Sequence, residues 1–164
     1  MKEMTESEGL RHAAAYCSAA EHCRQDVEKK LTGNLPPEAI RRILDRLIRE
    51  NFINEERFAR SFTNDKFRFN RWGRIKIGYE LQRKGISPEV IRQALDAIDG
   101  EAYESTLRKL LKERKKTVKG KDSHDCYRKL FRFASGRGFE SQSISRQLKQ
   151  LFKDSGDDVT DDFE

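Results

Sequence analysis

Between residues 66 and 84 lie seven bases: Lys66, Arg68, Arg71, Arg74, Lys76, Arg83 and Lys84. Phe67, Phe69, Trp72 and Tyr79 interleave them. Such groups grip anions. Guanidinium and ammonium groups pair with phosphates or carboxylates, and exposed rings stack on bases or anchor protein contacts. A second stretch, RKLLKERKKTVKGK at 108–121, sets Arg108, Lys109, Lys112, Arg114, Lys115, Lys116, Lys119 and Lys121 against one acid, Glu113. Leu107, Leu110 and Leu111 give that helix its core face, so bases fill nearly all the rest. A run this dense repels itself unless an anion lies close by. Both stretches also read as solvated helix faces over an aromatic core. Phe67 and Tyr79 are expected in that core. Trp72, in a turn beside Gly73, reads either way.

Catalytic chemistry has no comparable signal. There is no GxxxxGK[ST] loop and no GxSxG elbow. His12, Cys17 and His22 fall on one predicted helix, but successive members sit about 140° apart around its axis and cannot converge on a metal. His124, Asp125 and Cys126 are neighbours remote from the other His and Cys residues. The expectation is a non-catalytic binding protein with no cofactor and no metal. Three cysteines without CxxC spacing read as reduced thiols in a cytosolic protein. MKEMTESEGLRH holds no apolar run, so it does not read as a signal peptide.

Charge is distributed unevenly. The 164 residues carry +6, yet DSGDDVTDDFE at 154–164 holds six acids and no base. Residues 1–153 thus set all 34 bases against 22 acids, a net charge of +12. A basic body of this kind implies a polyanionic partner or, more plainly, solubility. Hydrophobic residues make up 35% and charged residues 38%, a balance that suits helices burying narrow stripes.

The elements that must carry these bases repeat along the chain. LPPEAIRRILDRLI (35–48), ISPEVIRQALDAI (86–98) and FESQSISRQLKQLF (139–152) place Ile40, Ile91 and Ile144 in register. Ile40, Ile43, Leu44, Leu47 and Ile48 form one helical stripe. A shorter helix precedes each, with Val27, Ile77 and Leu130 in matching positions, and the joins are TGN-Leu35, RKG-Ile86 and GRG-Phe139. Opening helices are predicted at 10–22, 54–69 and 101–117, with Asn54 as an N-cap. The predicted architecture is all-α: three tandem three-helix repeats in an elongated, curved array. Its parts are a flexible start (1–9), repeats at 10–50, 51–99 and 100–153, and a flexible acidic tail (154–164).

FINEERFARSFTNDKFRFNRWGRIKIGYELQRKGIS (52–87) closely resembles the central repeat of the RecX family. It matches in Phe52, Ile53, Arg57-Phe58-Ala59, Gly73, Ile75, Leu81 and Lys84-Gly85-Ile86, and departs at Asn54-Glu55, which stands where the family has an acidic pair. The flanking repeats fit more loosely, so the resemblance covers about residues 10 to 153. One departure bears on the 70–73 turn: a glycine usual before Gly73 is replaced at Arg71-Trp72. The resemblance implies tandem three-helix repeats and a cytoplasmic regulator of the RecA recombinase in DNA repair and the SOS response. Such proteins lie in the groove of the RecA–DNA filament, lower its ATPase and strand-exchange activity, and cap or destabilise it.

The expected partners are therefore a RecA filament and single- or double-stranded DNA through its phosphates, with no membrane and a monomeric protein. The alternative is a sequence-independent DNA-binding protein with helix-turn-helix-like repeats. It is weakened by PEVIRQALDAIDG, whose only base is Arg92. The contact residues expected are Arg71, Arg74, Lys76, Arg83, Lys84, Arg114, Lys115 and Lys116. Ile75, Ile77, Leu81, Gly85 and Ile86 are expected to be scaffold, and Arg71 and Arg74 to be dispensable for stability.

Overall fold

The structure, a computed structural model, describes residues 4–156. The acidic segment 157–164 lies outside the described residues, as do residues 1–3. Among the described residues nine helices follow in three sets of three. They are α1 (Glu6–Ala19), α2 (Arg24–Leu31), α3 (Pro37–Arg49), α4 (Glu55–Arg68), α5 (Arg74–Arg83), α6 (Pro88–Asp96), α7 (Gly100–Lys115), α8 (Ser123–Gly136) and α9 (Ser141–Asp154). Among the described residues there is no β-strand, and no helix is long and apolar enough to cross a membrane.

The caps explain where the helices begin. For residues 6–9 the predicted flexible start is corrected, because α1 opens at Glu6 rather than residue 10. The Glu8 amide donates to Thr5 Oγ1 at 3.1 Å, and the Thr5 amide donates to Glu8 Oε1 at 3.3 Å. This reciprocal pair satisfies two donors that a helix start leaves open. Asn54 Oδ1 accepts the Arg57 amide at 2.9 Å and starts α4. Ser87 Oγ accepts from the Val90 amide at 3.4 Å ahead of α6. α7 stops at Lys115, two residues short of the predicted end.

The three joins share one device. Gly33, Gly85 and Gly138 have φ of 92°, 82° and 94°. Only glycine takes that left-handed turn without steric cost. The chain then folds back, with the Ile86 amide donating to Leu81 O at 3.1 Å and the Phe139 amide to Ala134 O at 3.2 Å. Ile86 and Phe139 are buried.

The described residues form two compact units, 4–63 with 80–94, and 64–79 with 95–156. The division passes through α4, α5 and α6, the helices of the middle repeat. In the first unit α1, α2 and α3 pack on one another around Ala13, Cys17, Val27, Leu31, Ile40, Ile43, Leu44, Leu47 and Ile53. Ile48 lies at the edge of its stripe and is exposed. Cys17 and Cys23 are buried and free, and burial pushes both thiols above their ordinary pKa.

Lys84 belongs to this first unit. Its ammonium donates to Asp26 Oδ1 at 3.1 Å and sits 5.9 Å from the centre of the Phe58 ring. Burial alone would raise the Asp26 pKa. The Lys84 bond and the Cys23 amide outweigh it and hold the carboxyl below its ordinary value. A lowered carboxyl pKa stabilises the fold above the unfolded-state value, and that contribution fades as pH falls through the folded-state value. Replacing Lys84 by Met is expected to cost about 1–2 kcal/mol at neutral pH, because it leaves a half-buried carboxylate without its partner. The penalty should shrink as the carboxyl protonates. Urea midpoints of wild type and Lys84→Met at neutral and acidic pH check this, and an equal gap at both would refute it.

In the second unit α7, α8 and α9 pack mutually around Tyr103, Leu107, Leu111, Tyr127, Leu130, Ala134, Phe139, Ile144, Leu148 and Phe152. Phe67 reaches this core from α4 and stacks on Tyr103, with ring centres 5.8 Å apart.

Candidate interaction surface

The second unit carries six of the eight predicted contact residues, and three of them, Arg71, Arg74 and Lys76, flank one backbone junction. Gly73 N–H donates to Arg137 O at 2.8 Å, and Ile75 N–H donates to Gly138 O at 2.9 Å. The chains approach so closely that a β-carbon on Gly73 would lie 2.4 Å from Gly138 backbone atoms. This junction fixes the turn before α5 against the turn after α8.

Arg74 follows directly and is locked in place. Its backbone N–H donates to the Tyr103 hydroxyl at 3.0 Å, and its guanidinium lies 3.9 Å from the centre of that ring. Its Nη1 donates to Glu140 Oε2 at 3.2 Å, and the Tyr103 hydroxyl donates to the other oxygen of the same carboxylate. Burial, reinforced by Glu140, pushes the Tyr103 hydroxyl pKa well above its ordinary value, so it stays a donor. The expectation that Arg74 is dispensable for stability is corrected. Its side chain closes a four-group network between α5, α7 and the start of α9.

Around this anchored residue other bases face outward. Arg71 is 44% exposed, and its Nη1 reaches Glu113 at 3.3 Å. Its φ is +54°, a left-handed conformation costly for any residue with a β-carbon. The turn therefore keeps a glycine-like shape without a glycine. Lys66 and Lys76 place their ammonium groups 5.0 and 4.7 Å from the Trp72 ring centre. Trp72 is half-buried. Phe69 is 74% exposed. Tyr79 and Ile75, read from sequence as core and scaffold, are each 59% exposed, which corrects both readings. Ile77 and Leu81 carry the buried positions of α5 instead.

The second basic stretch divides by role. Arg108 Nε donates to Gln147 Oε1 at 2.9 Å, a half-buried structural bond. Lys115 Nζ lies 5.0 Å from the Phe152 ring centre and 3.2 Å from Ser155 Oγ. Lys116 is the exposed cap of α7. Lys112, Arg114 and Lys115 sit in the last turn of α7, where they complement the negative end of the helix dipole. Arg114 places its guanidinium carbon 4.7 Å from the Phe133 ring centre, and Arg137 places its own 5.5 Å from the same ring. The sequence reading missed Arg137. Its only signal was a lone base between two glycines of a turn.

The remaining predicted contacts lie in the first unit. Arg83 Nη1 is 3.4 Å from Glu80 Oε1, one helical turn back, and its side chain is 64% exposed. Lys84 is the half-buried partner of Asp26. Among the described residues no three His, Cys, Asp or Glu side chains are placed to hold a metal ion.

A curated relative, Regulatory protein RecX from Prosthecochloris aestuarii, is 32% identical over 154 residues, spanning 92% of this chain and 98% of the relative. The chain belongs to the RecX family. Regulatory protein RecX from Chlorobium phaeobacteroides is 34% identical over 136 residues, covering 81% of this RecX chain and 86% of its own. The family model for the second three-helix domain of RecX matches residues 54–95, which hold α4 and α5 and most of α6. A crystal structure of RecX from Lactobacillus salivarius superposes with a TM-score of 0.77 at 22% identity, covering 89% of this chain and 96% of that one. Another RecX crystal structure gives 0.80 at 22% identity over 88% of this chain and 71% of that one. At such identities the likeness concerns the fold, and it matches the all-helical repeat architecture of this RecX chain.

Proposed function

We propose that this RecX-family protein binds the groove of a RecA–DNA filament and, without catalysing a reaction, lowers its ATP hydrolysis and strand exchange. It would act as a cytoplasmic monomer. The observation that carries this reading is the surface of the second unit. There Arg71, in a turn pinned by backbone hydrogen bonds, and Lys76, in the first turn of α5, accompany exposed Phe69, Ile75 and Tyr79. Apolar side chains rimmed by bases suit a protein surface that lies against phosphate. Fixing them in advance limits the entropy lost on docking. Arg74 supports this surface from within, because it is already held by a carboxylate; Lys84, held likewise, belongs to the first unit. Arg114, Lys115 and Lys116 extend the basic face of this unit, and Arg83 adds an exposed base on the first unit.

The test is to titrate the protein into RecA filaments on single-stranded DNA and follow ATP hydrolysis, beside a binding assay on naked DNA. Wild type should suppress hydrolysis, and at substoichiometric amounts if it caps filament ends. Arg71→Gly is the informative variant, because glycine accepts the left-handed turn. It should keep or raise the melting temperature and weaken suppression several-fold, with Lys76→Glu weakening it further. Unchanged hydrolysis beside tight, salt-sensitive binding to naked DNA would replace this reading with the DNA-binding alternative.

A further inference from the structure

We propose that Arg114 and Arg137, both held against the ring of Phe133, form a clamp for the phosphodiester backbone of single-stranded DNA. This rests on the reading that the basic face of the second unit meets the nucleoprotein filament, and it names the chemistry recognised there. Both guanidinium carbons lie within cation–π distance of one ring, at 4.7 and 5.5 Å, so they are at most about 10 Å apart. That span embraces one phosphodiester group between them or two neighbouring ones along a strand.

Neither guanidinium makes an ion pair among the described residues, which the pair shares with Arg68, Arg108 and Arg132 of the unit, whereas Arg71, Arg74, Arg128 and Arg146 are paired. Two further features set the pair apart. Arg137 Nε is buried and has no hydrogen-bond partner among the described residues. Finally, the pair is positioned from behind. Phe133 packs against the core of the unit. The Arg137 amide caps α8, and its carbonyl accepts the Gly73 amide at 2.8 Å. Two like charges held on one ring repel, and a shared phosphate relieves that repulsion. The planar fork of each guanidinium fits two phosphate oxygens at once, which a lysine cannot match.

The probe is a fluorescein-labelled oligo-dT titrated with the full chain over a range of salt. Each phosphate neutralised on a single strand adds about 0.7 to the slope of log K against log salt. Arg114→Gln and Arg137→Gln should each lower the slope by about that amount and weaken binding roughly 5- to 10-fold at low salt. Arg114→Lys and Arg137→Lys should recover the slope but not the full affinity. Arg132→Gln, an exposed base on α8 outside the pair, should change the slope less. Arg114 is exposed, so its variants keep the test valid if those at the half-buried Arg137 lose stability. Unchanged slope and affinity in folded Arg114→Gln would overturn the clamp, as would an absence of oligo-dT binding by wild type. Loss of filament suppression with oligo-dT binding intact would assign the pair to a protein carboxylate and leave the filament reading standing. The reverse pattern, a working clamp in a protein without effect on filaments, would retain the clamp and remove that reading.

Discussion

Replacing Gly73 by Ala is expected to destabilise the second unit by about 3–5 kcal/mol. The new methyl would meet Gly138 C and O at 2.4 Å, and neither partner is a side chain that can swing aside. Relief requires the turn before α5 to part from the turn after α8. That strains or breaks the Gly73–Arg137 and Ile75–Gly138 hydrogen bonds, each worth about 1 kcal/mol. Thermal melts followed by circular dichroism should show a loss on the order of 10 °C for a domain of this size. Gly136→Ala is the control. It lies in the last turn of α8, and a β-carbon there meets nothing within 4 Å. It should be neutral or slightly stabilising. Equal melting temperatures for Gly73→Ala and wild type would show that the two turns are not locked together.

The second large effect is at Arg74. Arg74→Glu sets a carboxylate against Glu140 and removes the cation above Tyr103, at an expected cost of about 2–4 kcal/mol. Solvent reaches both partners, with side-chain exposures of 27% and 36%, which places the cost below that of a fully buried pair. Arg74→Met keeps the apolar stem on the ring and should cost about half as much. In a double-mutant cycle, Arg74→Met with Glu140→Gln should show a coupling of about 1 kcal/mol or more. Strict additivity would mean that the two side chains are neighbours without being partners. Weakened filament suppression in Arg74→Glu would then report a damaged support rather than a lost contact.

The helices, their order and their joins were legible in the sequence because they depend on neighbours. Ile40, Ile43, Leu44 and Leu47 announce a stripe by spacing alone, and RKG-Ile86 and GRG-Phe139 announce left-handed turns by the one residue type that takes them cheaply. The start of α1 was legible too. Thr5 and Glu8 are a capping pair, but they precede the apolar stripe on which the helix was placed. The site was harder to read. In α5 Ile75, Ile77, Tyr79 and Leu81 alternate within ten residues, so period alone does not say which pair is buried. Packing selected Ile77 and Leu81. Arg74 could not be separated from Arg71, because its partner Glu140 lies 66 residues away and makes no local pattern. Arg137 was invisible for the same reason, since its place beside Arg114 exists only once α7 and α8 pack.

Trp72 is the only tryptophan of the chain, and two lysine ammonium groups flank its ring at 5.0 and 4.7 Å. Indole emission shifts with nearby charge and water. An anion that draws Lys66 or Lys76 away changes both, so the protein carries its own optical reporter at the surface where its partner is expected. Docking can be timed in a stopped-flow mixer with no label attached, and quenching by iodide before and after mixing tells whether the indole has been covered or has only lost its cations.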